Sequence, residues 1–321
     1  MSGGTGHTTG ETVRTVLGDI TPGDLGTCDA HDHLFLRSPR LPGEELDDTA
    51  AAQSELDSFA QAGGRAVVQW TPWGMGRRLS ALPALSRTSG VHLIAATGLH
   101  QAKHYEGGRF PHSADELADL FVRELTQGPV RAGLIKVAGD FHRLDGHTRR
   151  SMAAAAAAHH ATGAPIGVHL EGGTAALETL DLLCAGHGVP AHRVILGHLL
   201  RYPDSAVHLQ VAEAGAYLAF DGPSRAHHAG DWRLLECVAA LADAGHTNRV
   251  LLGGDTVVAS ARSSADGPGM RHLLEGVNPR ITREIGGDVA HAIFVDNPAH
   301  AFAAHWRTPR ATTARDAECA C

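Results

Sequence analysis

The stretch Arg249-Val-Leu-Leu-Gly-Gly-Asp255 decides the fold, because consecutive apolar residues lead into two glycines and a carboxylate. Side chains alternate faces along a strand, so consecutive apolar positions indicate a strand that is covered on both faces, as in a parallel sheet. Arg65-Ala-Val-Val-Gln-Trp70 repeats the pattern. We predict eight such strands, at residues 26–32, 65–71, 91–97, 133–138, 165–170, 193–198, 216–221 and 249–255.

Helical spacing separates these strands. Residues 113–125 begin with Ser113 and carry Glu116 three positions later, which is the spacing of a capping box. The other helices are predicted at 48–62, 148–162, 174–187 and 232–244. Strands that alternate with helices in this way favour an α/β fold, a single-domain (β/α)8 TIM barrel. We expect the barrel to span residues 15–309, between flexible segments at 1–14 and 310–321.

Composition narrows the class of protein. The 321 residues are 43% hydrophobic and 19% charged, which is enough apolar material for a large core. The net charge is −8 and no basic stripe is present, so a nucleic-acid partner is not expected. No apolar run approaches 18 residues, no signal peptide is evident, and five cysteines without a CxxC pair suit a reducing compartment. We expect a cytoplasmic protein that acts on a small molecule and does not associate with a membrane.

Metal-ligating side chains recur where the predicted strands end. In a (β/α)8 barrel the carboxyl ends of all strands meet at one face, where active sites lie. A single histidine at a strand end is more often a structural hydrogen-bonding group than a ligand. Several at equivalent positions favour a metal site, since imidazole and carboxylate groups bind zinc and related cations. The residues in question are His31, His33, Lys136, His169, His198 and Asp255.

Lys136 allows two interpretations. Burial in an apolar strand disfavours the ammonium form and leaves a neutral amine, which can react with CO2 to form a carbamate. The two oxygens of a carbamate can bridge a pair of metal ions. Alternatively, the lysine stem packs in the barrel and its charged end reaches solvent. Spacing alone favours the second interpretation.

The sequence resembles the phosphotriesterase family of the amidohydrolase superfamily from about residue 15 to about residue 302. The resemblance lies in the order and spacing of several short motifs. They are Leu25-Gly26-Thr27 leading into His31-Asp32-His33, Gly74-Met75-Gly76-Arg77, Ala96-Thr97-Gly98-Leu99-His100, Ile135-Lys136-Val137-Ala138, His169, Ile195-Leu196-Gly197-His198, Phe220-Asp221-Gly222 and Asn297-Pro298-Ala299.

This resemblance implies a hydrolase with two divalent metal ions, usually zinc, with manganese, cobalt or iron as alternatives. It implies that His31, His33 and Asp255 hold the more buried ion. His169 and His198 would hold the more exposed one.

The resemblance also decides between the two interpretations of Lys136. It implies that the lysine is N6-carboxylated and bridges the ions together with a hydroxide. The hydroxide would attack the substrate, and Asp255 would receive its proton. Lys136 and Asp255 are therefore the expected catalytic residues.

Three positions depart from the pattern of many relatives. Asp32 replaces a glutamate, Leu200 an aspartate, and Gly254 a histidine. The last two changes put the family's usual proton relay in doubt. The proton would then leave directly to solvent or through a residue such as His227 or His228.

Substrate-binding residues follow the strand-end motifs. Arg201 and Arg225 are the first candidates, because the guanidinium group suits carboxylates and phosphates. Tyr105 lies where lactonase relatives place a tyrosine that faces the substrate, although it could equally be a packed loop residue. Further cations on the same loops are Arg77, Lys103 and Arg262, and Trp70 and Trp73 either wall the pocket or pack in the core.

The family hydrolyses lactones, organophosphate triesters and some amides. We expect a lactone or ester with a polar or anionic character, such as a sugar-acid lactone, as the substrate. Phosphotriester or amide hydrolysis on the same site is the alternative. A barrel that binds a ligand without turnover is an alternative from another class, and the resemblance leaves a homodimer open.

Overall fold

A computed structural model describes residues 10–105, 107, 109–221 and 233–309. Eight parallel strands form the central sheet, and each pairs with the next along the chain, which confirms the predicted barrel. The strands are β3 Cys28–Asp32, β4 Ala66–Gln69, β5 His92–Gly98, β6 Leu134–Ala138, β7 Ile166–His169, β8 Val194–Gly197, β9 Tyr217–Asp221 and β10 Val250–Gly253.

The barrel closes where β10 meets β3. The backbone N–H of Asp255 donates to the carbonyl of His31 at 2.9 Å across this seam. Gly253 is required there, because a Cβ at this position would collide with the backbone and Cβ of His31. The seam therefore brings the first and last predicted ligand-bearing strands into direct contact.

Aliphatic side chains and one large indole ring fill the barrel interior. Trp70 is fully buried, and its indole N–H donates to the carbonyl of Ala30 at 2.8 Å. Gly167 and Gly197 leave room for this ring, since a Cβ at either position would lie 2.9 to 3.4 Å from its carbon atoms. The interior is thus a packed core and not a channel, and functional side chains must lie above the indole ring.

The predicted helices lie outside the strands. They are α1 Thr49–Gln61, α3 Ala114–Thr126, α4 Gly146–Thr162, α5 Ala176–Leu180 and α7 Leu234–Asp243. The capping box of Ser113 and Glu116 is present as predicted. The fourth helix begins at Gly146, two residues before the predicted start, because Asp145 caps it by accepting a hydrogen bond from the backbone of Thr148. The predicted helix at 174–187 is divided, since a π-helical turn, Asp181–Gly186, follows α5.

Several helices were not predicted. They are α2 Leu82–Ser89, α6 Ser205–Glu213, α8 Asn278–Glu284, α9 Gly287–His291 and α10 Asn297–Ala301. Within the described residues, none of the helices has the length and apolarity needed to cross a bilayer.

A small antiparallel sheet covers the amino-terminal end of the barrel. It consists of β1 Thr12–Thr15, β2 Gly18–Ile20 and β11 Ala303–Ala304. Val13 packs in the same apolar cluster as the strand residues Leu134 and Ile195. The boundary expected at residue 15 therefore falls inside a strand, and residues 12–14 belong to the folded structure. Residues 1–9 and 310–321 lie outside the described part.

Candidate metal centre and active site

The ends of β3 and β10 bring together His31, His33 and Asp255, as the sequence analysis proposed. One carboxylate oxygen of Asp255, Oδ1, lies 3.5 Å from Nε2 of His31 and 3.4 Å from Nε2 of His33. Ligands bonded at about 2.0 Å to a tetrahedral zinc ion lie about 3.3 Å from one another. All three side chains are buried. The spacing therefore fits one cation between these atoms.

A second group shares His31 and adds His198 and Asp221. Nδ1 of His31 lies 3.1 Å from Oδ1 of Asp221, and both atoms are buried without a hydrogen-bond partner among the described residues. The other Asp221 oxygen contacts Nδ1 of His198. A buried imidazole nitrogen and a buried carboxylate oxygen without hydrogen-bond partners offer two ligand atoms to a cation. The donor set of imidazole and carboxylate groups also suits zinc.

Sequence reasoning did not assign a role to Asp221. The available signal was its position at the end of β9 in the quoted Phe220-Asp221-Gly222 motif. Its carboxylate joins the histidines of two other strands, His31 and His198.

Two of the predicted ligands have left-handed backbone conformations. The φ angle is 67° at His198 and 48° at Asp255. Residues with a Cβ rarely adopt this region, and strained positions of this kind cluster at functional sites. The turn at each residue ends its strand and aims its side chain into the barrel mouth.

His169 ends β7 and lies next to His198, with its Nδ1 at 2.7 Å from Nε2 of that residue. Its own Nε2 lies 3.6 Å from the Glu171 carboxylate. Burial lowers the pKa of His169 to about 4, so the ring is neutral near pH 7 and can bind a cation through a nitrogen lone pair. His169 is close to the metal-binding groups but is not one of the three members of either.

Lys136 lies in the middle of β6, only 2% exposed, between Gly98 of one neighbouring strand and Gly167 of the other. Burial lowers its pKa to about 7, against a smaller opposing effect of Asp255. Its positive charge lowers the pKa of His33 and of His169, so the amine lies within electrostatic range of both rings. A substantial fraction of the amine is therefore neutral near pH 7, which is the form that can become a carbamate.

Arg201 pairs with the predicted catalytic carboxylate. Its guanidinium contacts Oδ2 of Asp255 and lies 3.6 Å from the carboxylate of Asp221. Burial by itself would raise the pKa of Asp255, but the neighbouring His198 and Arg201 lower it and hold it well below its usual range. Asp255 is therefore ionised throughout the neutral range.

Two further buried carboxylates accept hydrogen bonds from backbone groups on both sides of the contact between β3 and β10. Asp32 accepts hydrogen bonds from the backbone N–H of His33 at 2.7 Å and of Thr256 at 2.9 Å. Asp29 accepts from the backbone N–H of His31 at 3.1 Å and of Gly254 at 3.2 Å. Burial, together with the negative charge of Asp32, raises the pKa of Asp29 well above its usual value.

The other two proposed substrate residues are Arg225 and Tyr105. Arg225 lies outside the described residues, as do His227 and His228. Tyr105 is only 8% exposed, its hydroxyl donates to the carbonyl of Trp73 at 3.0 Å, and it accepts from the backbone of His100 at 2.8 Å. The hydroxyl of Tyr105 is therefore engaged by two backbone groups.

Most of the remaining loop cations already have protein partners. Arg77 is buried against Glu124, and Lys103 pairs with Glu171 at 3.1 Å. Arg262 is buried and donates to the carbonyl of Leu34. Trp70 packs in the core, where its ring stacks on His31 with centroids 4.0 Å apart.

Comparison with known proteins gives matches along nearly the whole chain. Residues 11–302 match the model of the phosphotriesterase family. The chain is 30% identical to the phosphotriesterase homology protein of Escherichia coli (strain K12), over 85% of this chain and 96% of that protein. It is also 30% identical to the phospho-furanose lactonase of Mycoplasmopsis synoviae (strain 53), over 76% of each chain.

Solved structures also match this chain over most of its length. A lactonase from Listeria monocytogenes superposes with a TM-score of 0.85 at 27% identity, covering 91% of this chain and 98% of that one. The Escherichia coli phosphotriesterase homology protein, complexed with phosphate in its active site, superposes with a TM-score of 0.81 at 28% identity. That alignment covers 87% of this chain and 99% of the other.

Proposed function

The chain belongs to the phosphotriesterase family and is a hydrolase that acts on ester bonds, and we propose that it opens lactones with two divalent cations held at its barrel mouth. The observation that carries the proposal is the convergence of buried imidazole and carboxylate atoms from β3, β8, β9 and β10, with separations of 3.1 to 3.5 Å between several of them. Such spacing matches neighbouring ligands of one zinc ion.

Residues in two sets would hold the cations. His31, His33 and Asp255 would bind the more buried ion, and His169 and His198 the more exposed one. The carbamate of Lys136 would bridge them, with zinc the expected metal. When bound, the ions would lower the pKa of a water molecule and polarise the scissile carbonyl group.

Asp255 would act as the base in this reaction. Its carboxylate is ionised near pH 7 and faces both ligand histidines through Oδ1, so it can accept the proton of the attacking water. Arg201 holds the other oxygen, Oδ2, and fixes the orientation of the group. Arginine carries no acceptor and stays charged, so it cannot pass the proton on.

The route of the proton outward differs from that of relatives with a histidine relay. Leu200 is apolar and buried, and Gly254 has no side chain, so neither position offers an acceptor. We therefore propose that Asp255 releases its proton to solvent at the barrel mouth.

A lactone is favoured over a phosphotriester by the similarity to proteins named as lactonases. The substrate is proposed to be small and polar or anionic. A cytoplasmic location and a homodimer remain predictions from the cysteine pattern and from the family resemblance.

Metal analysis with a substrate panel tests the function. Protein loaded with zinc or manganese should contain about two ions per chain and hydrolyse a lactone faster than a matched ester, amide or phosphotriester. Absence of hydrolysis by the loaded protein with all four substrates would refute the proposal. A phosphotriester preference would support the second candidate instead.

Two variants test the residue roles. Asp255→Asn should lower kcat by about 100-fold or more, because proton transfer by a positioned base contributes about that much. Lys136→Ala should lose bound metal as well as turnover. Arg87→Ala, an exposed position on α2, serves as the control and should retain both. Full activity in either of the first two variants would contradict the assigned roles.

A further inference from the structure

His169 presents its two ring nitrogens to different neighbours. Nδ1 lies 2.7 Å from Nε2 of His198. Nε2 lies 3.6 Å from the carboxylate of Glu171, which is slightly longer than a hydrogen bond. This nitrogen is buried and has no hydrogen-bond partner among the described residues. A hydrogen on Nε2 would therefore face Glu171 and not solvent.

A cation shared by the two histidines would fix the positions of their protons. A neutral imidazole carries one N–H, and only its other nitrogen has a lone pair for a cation. The nitrogens that face each other, Nδ1 of His169 and Nε2 of His198, are the ones that can share an ion. The protons must then lie on Nε2 of His169 and on Nδ1 of His198, and each of these buried N–H groups needs an acceptor.

Each of these two nitrogens has a carboxylate beside it. Asp221 contacts Nδ1 of His198, and Glu171 faces Nε2 of His169. Histidines that bind metals commonly donate their other N–H to a carboxylate, which fixes the tautomer and the orientation of the ring. Asp221 ends β9, and Glu171 lies two residues after the end of β7. The two rings therefore have one carboxylate each, from different parts of the barrel mouth.

The backbone of Glu171 is held against the end of β8. It lies in the turn Glu171–Gly173, and its carbonyl accepts a hydrogen bond from the hydroxyl of Thr174 at 2.8 Å. Gly173 has a φ angle of 73°, and a Cβ there would lie 2.6 Å from the carbonyl oxygen of His198. The close contact of the two turns fixes the position of Glu171 relative to both histidines.

Lys103 orients the side chain of Glu171. Its Nζ lies 3.1 Å from Oε2, which is the same oxygen that faces His169. The side chains of Lys103 and Glu171 are 41% and 31% exposed, and an ion pair at such a position contributes little to stability. Its structural consequence is to direct Oε2 towards the ring of His169.

We propose that Glu171 is a positioning residue for His169, which accepts the Nε2–H of that ring and so keeps Nδ1 free to bind the more exposed cation. This inference rests on the proposed two-metal hydrolase function. Glu171 is a member of neither group of candidate ligands, so it acts through His169 and not as a ligand itself.

Zinc binding tests the proposal without turnover. Chelator-treated protein is titrated with zinc by calorimetry in a buffer that contains bicarbonate, which can carboxylate Lys136. Glu171→Ala should weaken the binding of one of the two ions by about 10–100-fold and leave the other unchanged, since loss of such a carboxylate partner typically lowers metal affinity by this factor. Glu171→Gln keeps an acceptor oxygen and should have an intermediate affinity.

Glu178→Ala is the matched control, because it removes an exposed carboxylate on α5. This variant should bind both ions as the wild-type protein does. Equal affinities in the wild-type and Glu171→Ala proteins would overturn the proposal. An equal loss of affinity for both ions would also overturn it, because it would indicate a general disturbance of the barrel mouth.

The imidazole N–H resonance separates positioning from a purely structural or electrostatic effect. In zinc-saturated protein labelled with ¹⁵N-histidine, Nε2–H of His169 should give a downfield proton resonance that exchanges slowly with water. The resonance is assigned by its loss in His169→Gln. It should also be lost in Glu171→Ala and retained in Glu171→Gln and Glu178→Ala. An unchanged resonance in Glu171→Ala would mean that another group accepts this proton.

Hydrolysis of a lactone is measured separately on the same proteins. Selective loss of one ion in Glu171→Ala, in a protein that does not hydrolyse lactones, would retain the role of Glu171 and refute the proposed reaction. Unchanged zinc binding in an active enzyme would refute the role and retain the reaction. A wild-type protein that binds only one zinc ion would refute both.

Discussion

Gly254 lacks a side chain at the point where the carboxylate of Asp32 crosses the seam between β3 and β10. A Cβ at this position would overlap an oxygen of Asp32. Asp32 in turn holds the backbone N–H groups of His33 and Thr256. Asp32 and Gly254 are both departures from the family pattern. They form one structural arrangement, because the buried carboxylate of Asp32 occupies the space that a side chain at position 254 would fill.

Gly254→Ala should lower the free energy of unfolding by about 1–3 kcal/mol, because an added methyl group in a packed region forces neighbours to move. It should also weaken metal binding, since the displaced Asp32 supports His33. Urea unfolding and a competition assay with a zinc chelator measure the two effects.

The Asp32→Ala background provides the control for this residue pair. Removing the carboxylate opens the space, so adding the methyl group should then cost much less. Residues in contact typically show coupling of about 0.5–3 kcal/mol in such a cycle. Equal effects of Gly254→Ala in both backgrounds would contradict the steric explanation.

At the scale of elements, the side chain of Glu55 links α1 by hydrogen bonds to the segment that follows Asp255. Its carboxylate is fully buried and accepts hydrogen bonds from the backbone N–H and the hydroxyl of Ser263, at 2.8 and 2.7 Å, and from the backbone N–H of Met270 at 2.6 Å. These contacts span more than 200 positions of sequence and define the path of the loop after β10.

Glu55→Ala should destabilise the protein by about 3 kcal/mol or more, because it leaves buried donors unpaired and removes charge-assisted hydrogen bonds. Chemical unfolding monitored by circular dichroism measures the change. Glu55→Gln, which keeps an acceptor oxygen, should recover part of the loss. Glu44→Ala, at an exposed position, should change the stability by less than about 0.5 kcal/mol. A small effect of Glu55→Ala would show that the loop does not depend on this anchor.

The sequence was most informative where one residue pattern determines one element. Consecutive apolar residues predicted the eight strands, and the Ser113–Glu116 spacing predicted the start of α3. The strand predicted at 249–255 ends early, at Gly253, because Asp255 turns into the left-handed region. The division of the helix predicted at 174–187 is a change of hydrogen-bond pattern that apolar spacing does not report.

The candidate site, like the fold, could be predicted from the sequence only in part. His31, His33, His198 and Asp255 could be placed together because all strand ends of a barrel meet at one face. The roles of Asp221, Asp29 and Asp32 depend on contacts between different strands. Strand periodicity fixes the side of the sheet on which a residue lies, but it does not identify the partner that it meets there.

At the scale of the whole molecule, the buried imidazoles of the site couple folding to pH. Burial lowers the pKa of His169 and of His104 to about 4, and it lowers those of His100 and His198 as well. An imidazole in the unfolded chain titrates near 6.5. Between these values the unfolded state binds protons that the folded state does not, so acid favours unfolding.

The free energy of unfolding of the metal-free protein should therefore fall as the pH is lowered from 6.5 towards 4.5. One fully buried imidazole contributes at most about 1.4 kcal/mol per pH unit. Carboxylates with lowered pKa values, such as that of Asp255, act in the same direction but only near and below pH 4, where the unfolded chain begins to bind their protons. Lys136 acts in the same direction only near and above pH 7, where the folded protein loses a proton that the unfolded chain keeps. Urea titrations at pH 7.5, 6.5, 5.5 and 4.5 in the presence of a chelator measure the dependence, and His169→Gln should reduce its slope. A stability that is constant over this range would mean that these imidazoles are as accessible to protons in the folded protein as in the unfolded chain.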